Sequence, residues 1–383
     1  MEKGPRQQGS CGVGLLAHRR KEHHQRDGAQ REPQEQRATQ LAQLGEKAAH
    51  ITGYIAEPTA EQLEANPALV PGQPIGQTGI EAGADDVLAG VAGGRLIVVQ
   101  CSSRVERSTI ASRTAIPPRD VQLTIDRDFQ AEVYDALRAE PKLQGAGVVL
   151  DPQDGEVLAL ASIPSYDPNG FVLGFSEKEQ ATLRSEAQRP LLSRAAEGAY
   201  PTGSAFKPIT FVAGMEGLGY TADTVLDCPS TFQLEGAAQT WEDWTVAYNL
   251  PAQGPLTLHQ ALVNSCNTVF YGIGRDLDLK DPDLLPNMAK AFGLGAPTGI
   301  PYLPEVSGVA PSPEWKLETF GDYWATGDAV NLAIGQGFLQ VTPLQLANAY
   351  AAIANGGTIY RRKTHTSGAL FFEAPKSDEA PPK

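Results

Sequence analysis

Apolar and polar residues alternate along Asp120-Val121-Gln122-Leu123-Thr124-Ile125, the period of a half-buried strand. Asp126 then predicts a helix cap, and Phe129, Val133, Ala136 and Leu137 fall on one face of a helix predicted over residues 127–139. Two apolar runs follow, Gly145–Leu150 and Glu156–Ser162. Between them lies Asp151-Pro152-Gln153-Asp154-Gly155, whose turn chemistry predicts a hairpin. From about Thr202 the pattern is mainly helical with long connections. A last helix is predicted over Pro343–Asn355 and stopped by Gly356-Gly357. Strand, helix, hairpin and helical block, in that order, imply a sheet packed against helices, an α/β (α+β) arrangement.

The pattern upstream is different. Residues 41–115 read as a small mixed unit, with helix-like sequence over Leu41–Ile51, then Gly53-Tyr54-Ile55, Gly76–Glu81 and a short strand Arg95–Val99. The unit is short and glycine-rich, so it is expected to pack against another part of the chain. A new unit begins near Ile116-Pro117-Pro118 and extends to about residue 360. Residues 1–40 and 361–383 show no such periodicity and read as a disordered or non-native head and a disordered tail. The apolar patch Val13–Ala17 in the head is too short to span a bilayer, and no secretory signal or anchoring segment is recognisable.

Charge narrows the function. The 383-residue chain carries a formal net charge of −14. Residues 1–40 hold eight Lys/Arg and five Asp/Glu, so the other residues sum to −17, which argues against a nucleic-acid partner. The cysteines, Cys11, Cys101, Cys228 and Cys266, match neither a zinc pattern nor a disulfide-dense scaffold, and a single bridge among them stays open. His18, His23, His24 and His50 form no metal-ligand pattern, and no metal or cofactor is implied.

The sharpest chemical feature is Tyr200-Pro201-Thr202-Gly203-Ser204-Ala205-Phe206-Lys207. It reads as a turn entering a helix, with Ser204 in the first turn and Lys207 three residues on, on the same side. A serine hydroxyl is a weak nucleophile, and a lysine whose pKa burial has lowered can take its proton. The helix start adds backbone N–H groups and a positive dipole end near the reacting oxygen. Phe206, Ile209 and Ala213 would fix this helix in a core. Ser265-Cys266-Asn267 offers a second hydroxyl and an amide. Each pattern also has an ordinary structural reading: the Ser-x-x-Lys pair as a chance spacing, the second triplet as a helix cap.

Taken together, these blocks resemble the penicillin-binding proteins. Tyr200–Lys207 is similar to that family's Y-P-P-G-S-x-F-K motif, with Thr202 at a usual proline. Ser265-Cys266-Asn267-Thr268 resembles its second motif. Gly145–Asp154 and Ala159–Asp167 resemble its G-A-x-V-V-L-D-P…G-x-V-L-A-L-A-S-x-P-S-Y-D-P block, and Asn331–Gln345, with Ile334-Gly335-Gln336-Gly337, its N-x-A-I-G-Q-G block. Residues 79–94 resemble the end of the pedestal, or dimerisation, domain of the monofunctional class B members. The resemblance covers roughly residues 50–360, in the family's order.

The resemblance implies a β-lactamase/transpeptidase-like fold and a peptidoglycan D,D-transpeptidase that is acylated by β-lactams. Ser204 is then the nucleophile, Lys207 the proton acceptor and Ser265 a proton relay. Asn267 and Gly203 bind substrate, and the Ser204 N–H serves the oxyanion. The implied partners are stem peptides ending in D-Ala-D-Ala, β-lactams and a membrane glycosyltransferase, at the outer face of the cell membrane. Two alternatives share the residues: a serine β-lactamase or β-lactam sensor, and an inactive scaffold. The scaffold reading rests on the third motif, Lys-Thr/Ser-Gly. Lys363-Thr364-His365 lacks its glycine, and the expectation is a truncated, poorly active chain.

Overall fold

The computed structural model describes residues 44–91, 93–99, 106–140 and 144–360. The head, the tail with Lys363-Thr364-His365, and Cys11, Cys101, His18, His23 and His24 lie outside the described residues.

The predicted hairpin forms as Gly145–Leu150 paired antiparallel with Val157–Ile163. Its turn closes for local reasons. Asp151 Oδ1 accepts from Gln153 N at 2.7 Å, Asp154 Oδ1 accepts from Glu156 N at 2.9 Å, and Gly155 supplies the left-handed φ of 85°. One face of the hairpin takes the helix Arg127–Arg138, and the helix Pro343–Ala354 lies against Gly145–Leu150. The order of layers is therefore that expected of a mixed α/β fold.

Three local expectations need correction. Residues 120–125 do not form a ladder strand. Their alternation is real, since Val121, Leu123 and Ile125 pack into the core, but the polar groups bond elsewhere: Thr124 Oγ1 donates to Val157 O at 2.8 Å. On the helix Arg127–Arg138 the inward positions are Gln130, Val133, Tyr134 and Leu137, whereas Phe129 and Ala136 are exposed. Gln130 is buried because the ends of its amide are occupied: Nε2 donates to Lys47 O (2.7 Å) and Leu160 O (3.1 Å), and Oε1 accepts from Leu160 N (2.7 Å). The helical block is also interrupted by four short strands. Val225–Cys228 pairs with Gly254–Thr257, and Thr231–Gln233 pairs with Thr240–Glu242.

The largest cluster of buried side chains surrounds the helices Lys207–Leu218 and Asn267–Lys280, and includes Phe206, Ile209, Phe270, Ile273 and Leu277. A second cluster joins the upstream unit to the rest. Ala48, Ile51, Ile80 and Ala84 share one core with Val157, Leu160, Ala195, Ala196, Ile300 and Leu344. The small unit thus packs against the following one, as its size demands. His50 is buried beside this junction, where Nε2 meets Pro190 O at 2.8 Å and its ring stands edge-on to Tyr166. No helix among the described residues is long and apolar enough to cross a membrane.

Candidate active site

Ser204 lies in a tight helical turn, Gly203–Phe206, that runs directly into the helix Lys207–Leu218. Pro208 suits the first turn of that helix, and Gly219, with φ 73°, ends it in the left-handed conformation. Phe206, Ile209 and Ala213 are buried on one face, as the spacing predicts. The turn is tied to the Asn331–Gln345 segment at several points. Gly203 N donates to Gly335 O at 3.0 Å, and Tyr200 and Val341 exchange two backbone hydrogen bonds of 2.9 Å. Thr210 Oγ1 donates to Ala333 O at 2.8 Å, and from the helix Pro343–Ala354, beyond that segment, Tyr350 Oη donates to Ala205 O at 2.9 Å. Gly335 has φ 71°, and a Cβ there would overlap Gly203 O and Thr202 Oγ1. Gly335 of the Ile334-Gly335-Gln336-Gly337 sequence therefore serves close backbone approach to the serine turn.

Lys207 is buried to 1% exposure. Its Nζ donates to Ser265 O at 2.7 Å, Ser265 Oγ at 2.9 Å and Asn267 Oδ1 at 2.7 Å. The structure thus brings Lys207, Ser265 and Asn267 into one cluster. Burial brings the Lys207 pKa down to about 8, and the Asp243 carboxylate opposes that shift. The ammonium form donates to all three oxygens. The neutral amine keeps two N–H donors for the carbonyl-type oxygens, which frees its lone pair to accept a proton from a neighbouring hydroxyl. Ser204 is exposed, and among the described residues its hydroxyl has no hydrogen-bond partner. Its backbone N–H lies in a first helical turn, where helix geometry supplies no acceptor. An open hydroxyl, an unclaimed N–H and a buried amine of lowered pKa are the parts needed for nucleophilic attack on a carbonyl.

The second turn has its own frame. The helix Leu258–Val263 starts with a Thr257/Gln260 capping box and ends just before Ser265, whose φ is 54°. The helix Asn267–Lys280 begins immediately after. Asn267 N donates to Asp243 Oδ1 at 2.7 Å, and Trp244 Nε1 donates to Asn264 O at 3.1 Å. Asp243 is buried, and its other oxygen accepts from Thr245 Oγ1 at 2.9 Å and Gln253 Nε2 at 3.3 Å. Cys266 is bonded to Cys228, at the end of the strand Val225–Cys228.

Among the described residues, the bridge that the sequence left open forms between Cys228 and Cys266. Asp243 and Cys228 were not singled out by spacing, because they lie 24 and 38 residues from their partners. The only local sign was an aspartate able to cap the short helix Trp244–Ala247. Cys228, Cys266 and Asp243 also place potential donor atoms within 4.8 Å of one another. With the sulfurs joined, neither is a thiolate ligand, and the carboxylate is occupied by the Asn267 N–H.

A cavity of about 900 Å³ opens behind the Thr231–Glu242 hairpin, lined by Gln233, Trp241, Arg275, Asp328 and Asn331 among others. None of Gly203, Ser204, Lys207, Ser265 and Asn267 lines it. Within its lining, Asn331 Oδ1 accepts from Trp241 Nε1 at 3.0 Å.

Comparison with known proteins gives the same segments a common context. Residues 145–367 match the penicillin-binding protein transpeptidase domain, and residues 16–123 match the penicillin-binding protein dimerisation domain. The chain is 35% identical over 323 residues to the peptidoglycan D,D-transpeptidase MrdA of Haemophilus influenzae, covering 82% of this chain and 48% of that protein. It thus spans about half the length of the curated relative. Among solved structures, the penicillin-binding protein PBP2 of Helicobacter pylori in complex with MreC superposes with a TM-score of 0.75 at 28% identity, over 85% of this chain and 59% of that one. PBP2 of Pseudomonas aeruginosa in complex with WCK 5153 gives 0.68 at 32% identity, over 84% of this chain and 66% of that one.

Proposed function

This chain belongs to the penicillin-binding protein transpeptidase family, and on that premise we propose that it acts as a peptidoglycan D,D-transpeptidase with Ser204 as nucleophile. The observation that carries the proposal is the placement of Lys207. A buried amine, brought down to about 8, sits one turn from an exposed serine and bonds both Ser265 and Asn267.

In the proposed reaction Ser204 Oγ attacks the carbonyl of a D-Ala-D-Ala terminus. The new C–O bond forms, the peptide C–N bond breaks, and the serine proton passes by way of Lys207 and Ser265 to the departing D-alanine amine. An amine of a second stem peptide then attacks the ester, forming the cross-link and freeing Ser204. The Ser204 N–H supplies one oxyanion donor. Asn267 and Gly203 hold the substrate backbone. For Asn267 this leaves Nδ2 as the contacting atom, since its Oδ1 is taken by Lys207.

The reaction places the protein outside the cytoplasm, and a buried disulfide suits an oxidising compartment. A scaffold resembling the MreC of the H. pylori complex, and a membrane glycosyltransferase, are the proposed protein partners. The test is intact-mass analysis after incubation with a penicillin. One drug adduct on the wild type and none on Ser204→Ala is expected. No adduct on folded protein would overturn the assignment, and rapid release of hydrolysed drug would instead make the chain a β-lactamase.

A further inference from the structure

We infer that the Cys228–Cys266 disulfide is a positioning element of the catalytic turn, holding Ser265 in a left-handed conformation so that both its oxygens reach Lys207. The inference rests on the transpeptidase reading for its kinetic test and on geometry for its premise.

Ser265 has φ 54°, a region that residues with a Cβ avoid. Yet this conformation is what brings Ser265 O and Ser265 Oγ to the same ammonium, at 2.7 and 2.9 Å. Something outside the residue must hold it. On its N-terminal side the preceding helix closes over it, with Ser265 N donating to Leu262 O at 3.1 Å and Cys266 N to Ala261 O at 2.9 Å. On its C-terminal side the second and third residues along are fixed to other segments. Asn267 N is bonded to Asp243, and Thr268 Oγ1 donates to Pro229 O at 2.9 Å.

The covalent tie lies between these. Cys266 is the residue that separates the two catalytic side chains, and its sulfur points away from them into the core. There it meets Cys228, in a strand laddered to Gly254–Thr257. Both cysteines are fully buried. Cys266 Sγ also accepts from Val269 N at 3.3 Å, so the bridge caps the following helix. Hydrogen bonds alone leave the turn free to relax by a peptide rotation. A covalent anchor at the central residue removes that freedom while touching neither substrate nor reacting atoms.

The experiment compares wild type with Cys228→Ala, and with Cys228→Val to keep the core filled, each in the presence of a chelator and checked for a cooperative thermal transition. The readouts are the rate of penicillin acylation, separated into noncovalent affinity and the covalent step, and amide hydrogen exchange over residues 262–269. Loss of the tie is expected to slow the covalent step by about 10- to 100-fold, the scale of an ångström-sized misplacement. Affinity should change less than the covalent step, by no more than about tenfold, because Asn267, which holds substrate, belongs to the loosened turn but keeps its bond to Asp243. The amides of Ser265 to Thr268 should exchange faster.

An unchanged covalent step in the folded variants would overturn the inference, as would wild-type protein isolated in air with free thiols at 228 and 266. If the wild type gives no adduct at all, the transpeptidase reading fails separately. Exchange then decides the positioning claim: faster exchange in the variants supports it, and unchanged exchange overturns it.

Discussion

The backbone N–H of Gly203 donates to the carbonyl of Gly335 at 3.0 Å, so the residue before the candidate nucleophile is hung from a glycine more than a hundred positions away. Gly335→Ala should therefore act on catalysis directly. The added methyl would overlap Gly203 O and Thr202 Oγ1, at a φ of 71° that alanine resists. Acylation is expected to fall by about 100-fold, the consequence of shifting a reacting atom by an ångström. The cost in stability should be roughly 1–3 kcal/mol. Burst labelling with a fluorescent penicillin and a thermal melt would measure the two effects separately.

Lys207 sets the pH dependence. Its conjugate acid titrates at about 8 in the folded protein, so the neutral amine becomes scarcer as pH falls below that value. The acylation rate should drop about tenfold per pH unit well below 8 and level off above it. Lys207→Ala should slow acylation by about 100- to 10,000-fold and remove that slope. A rate flat from pH 6 to 9 in the wild type would contradict the role.

His50 makes a separate prediction about stability. Burial, opposed by its bond to Pro190 O, lowers its pKa from 6.5 to about 4. Between those values the unfolded chain binds the proton that the folded chain refuses. Stability is complete above pH 6.5 and is lost progressively as the pH falls toward 4, by roughly 3 kcal/mol in total. His50→Gln can still donate to Pro190 O and does not titrate. Its denaturant midpoint should vary less over that range than that of the wild type.

Gln130 offers a test of the junction between the two units. It serves the N–H and carbonyl of Leu160 and the carbonyl of Lys47 at once. Gln130→Leu keeps the volume but strands those groups. A loss of roughly 2–4 kcal/mol is expected, seen as a lower urea midpoint.

Much of this was legible in the chain because it depends on local chemistry. The hairpin at Asp151–Gly155, the helix after Asp126 and the last helix from Pro343 are written in turn, cap and period. Ser204 and Lys207 were visible because a helix fixes their relation over three residues. What was hidden is non-local. The alternation at 120–125 marks packing, and nothing in it says that Thr124 will bond to Val157 O through its hydroxyl without a ladder strand forming. Asp243 and Cys228 support the second turn from other elements, so only the fold brings them there. Phe129 is apolar, yet the helix turns Gln130 inward because three backbone groups there need a partner.

The core shared by Ala48, Ile51, Ile80 and Ala84 with Val157, Leu160 and Ile300 has an evolutionary consequence. The two units cannot drift independently. A larger side chain accepted on one side must be matched by a smaller one on the other, and their histories become correlated at these positions. A pedestal borrowed from a distant homologue would bring the wrong half of this contact. Exchanges between lineages should therefore be inherited as an undivided block, with crossover points outside the shared core.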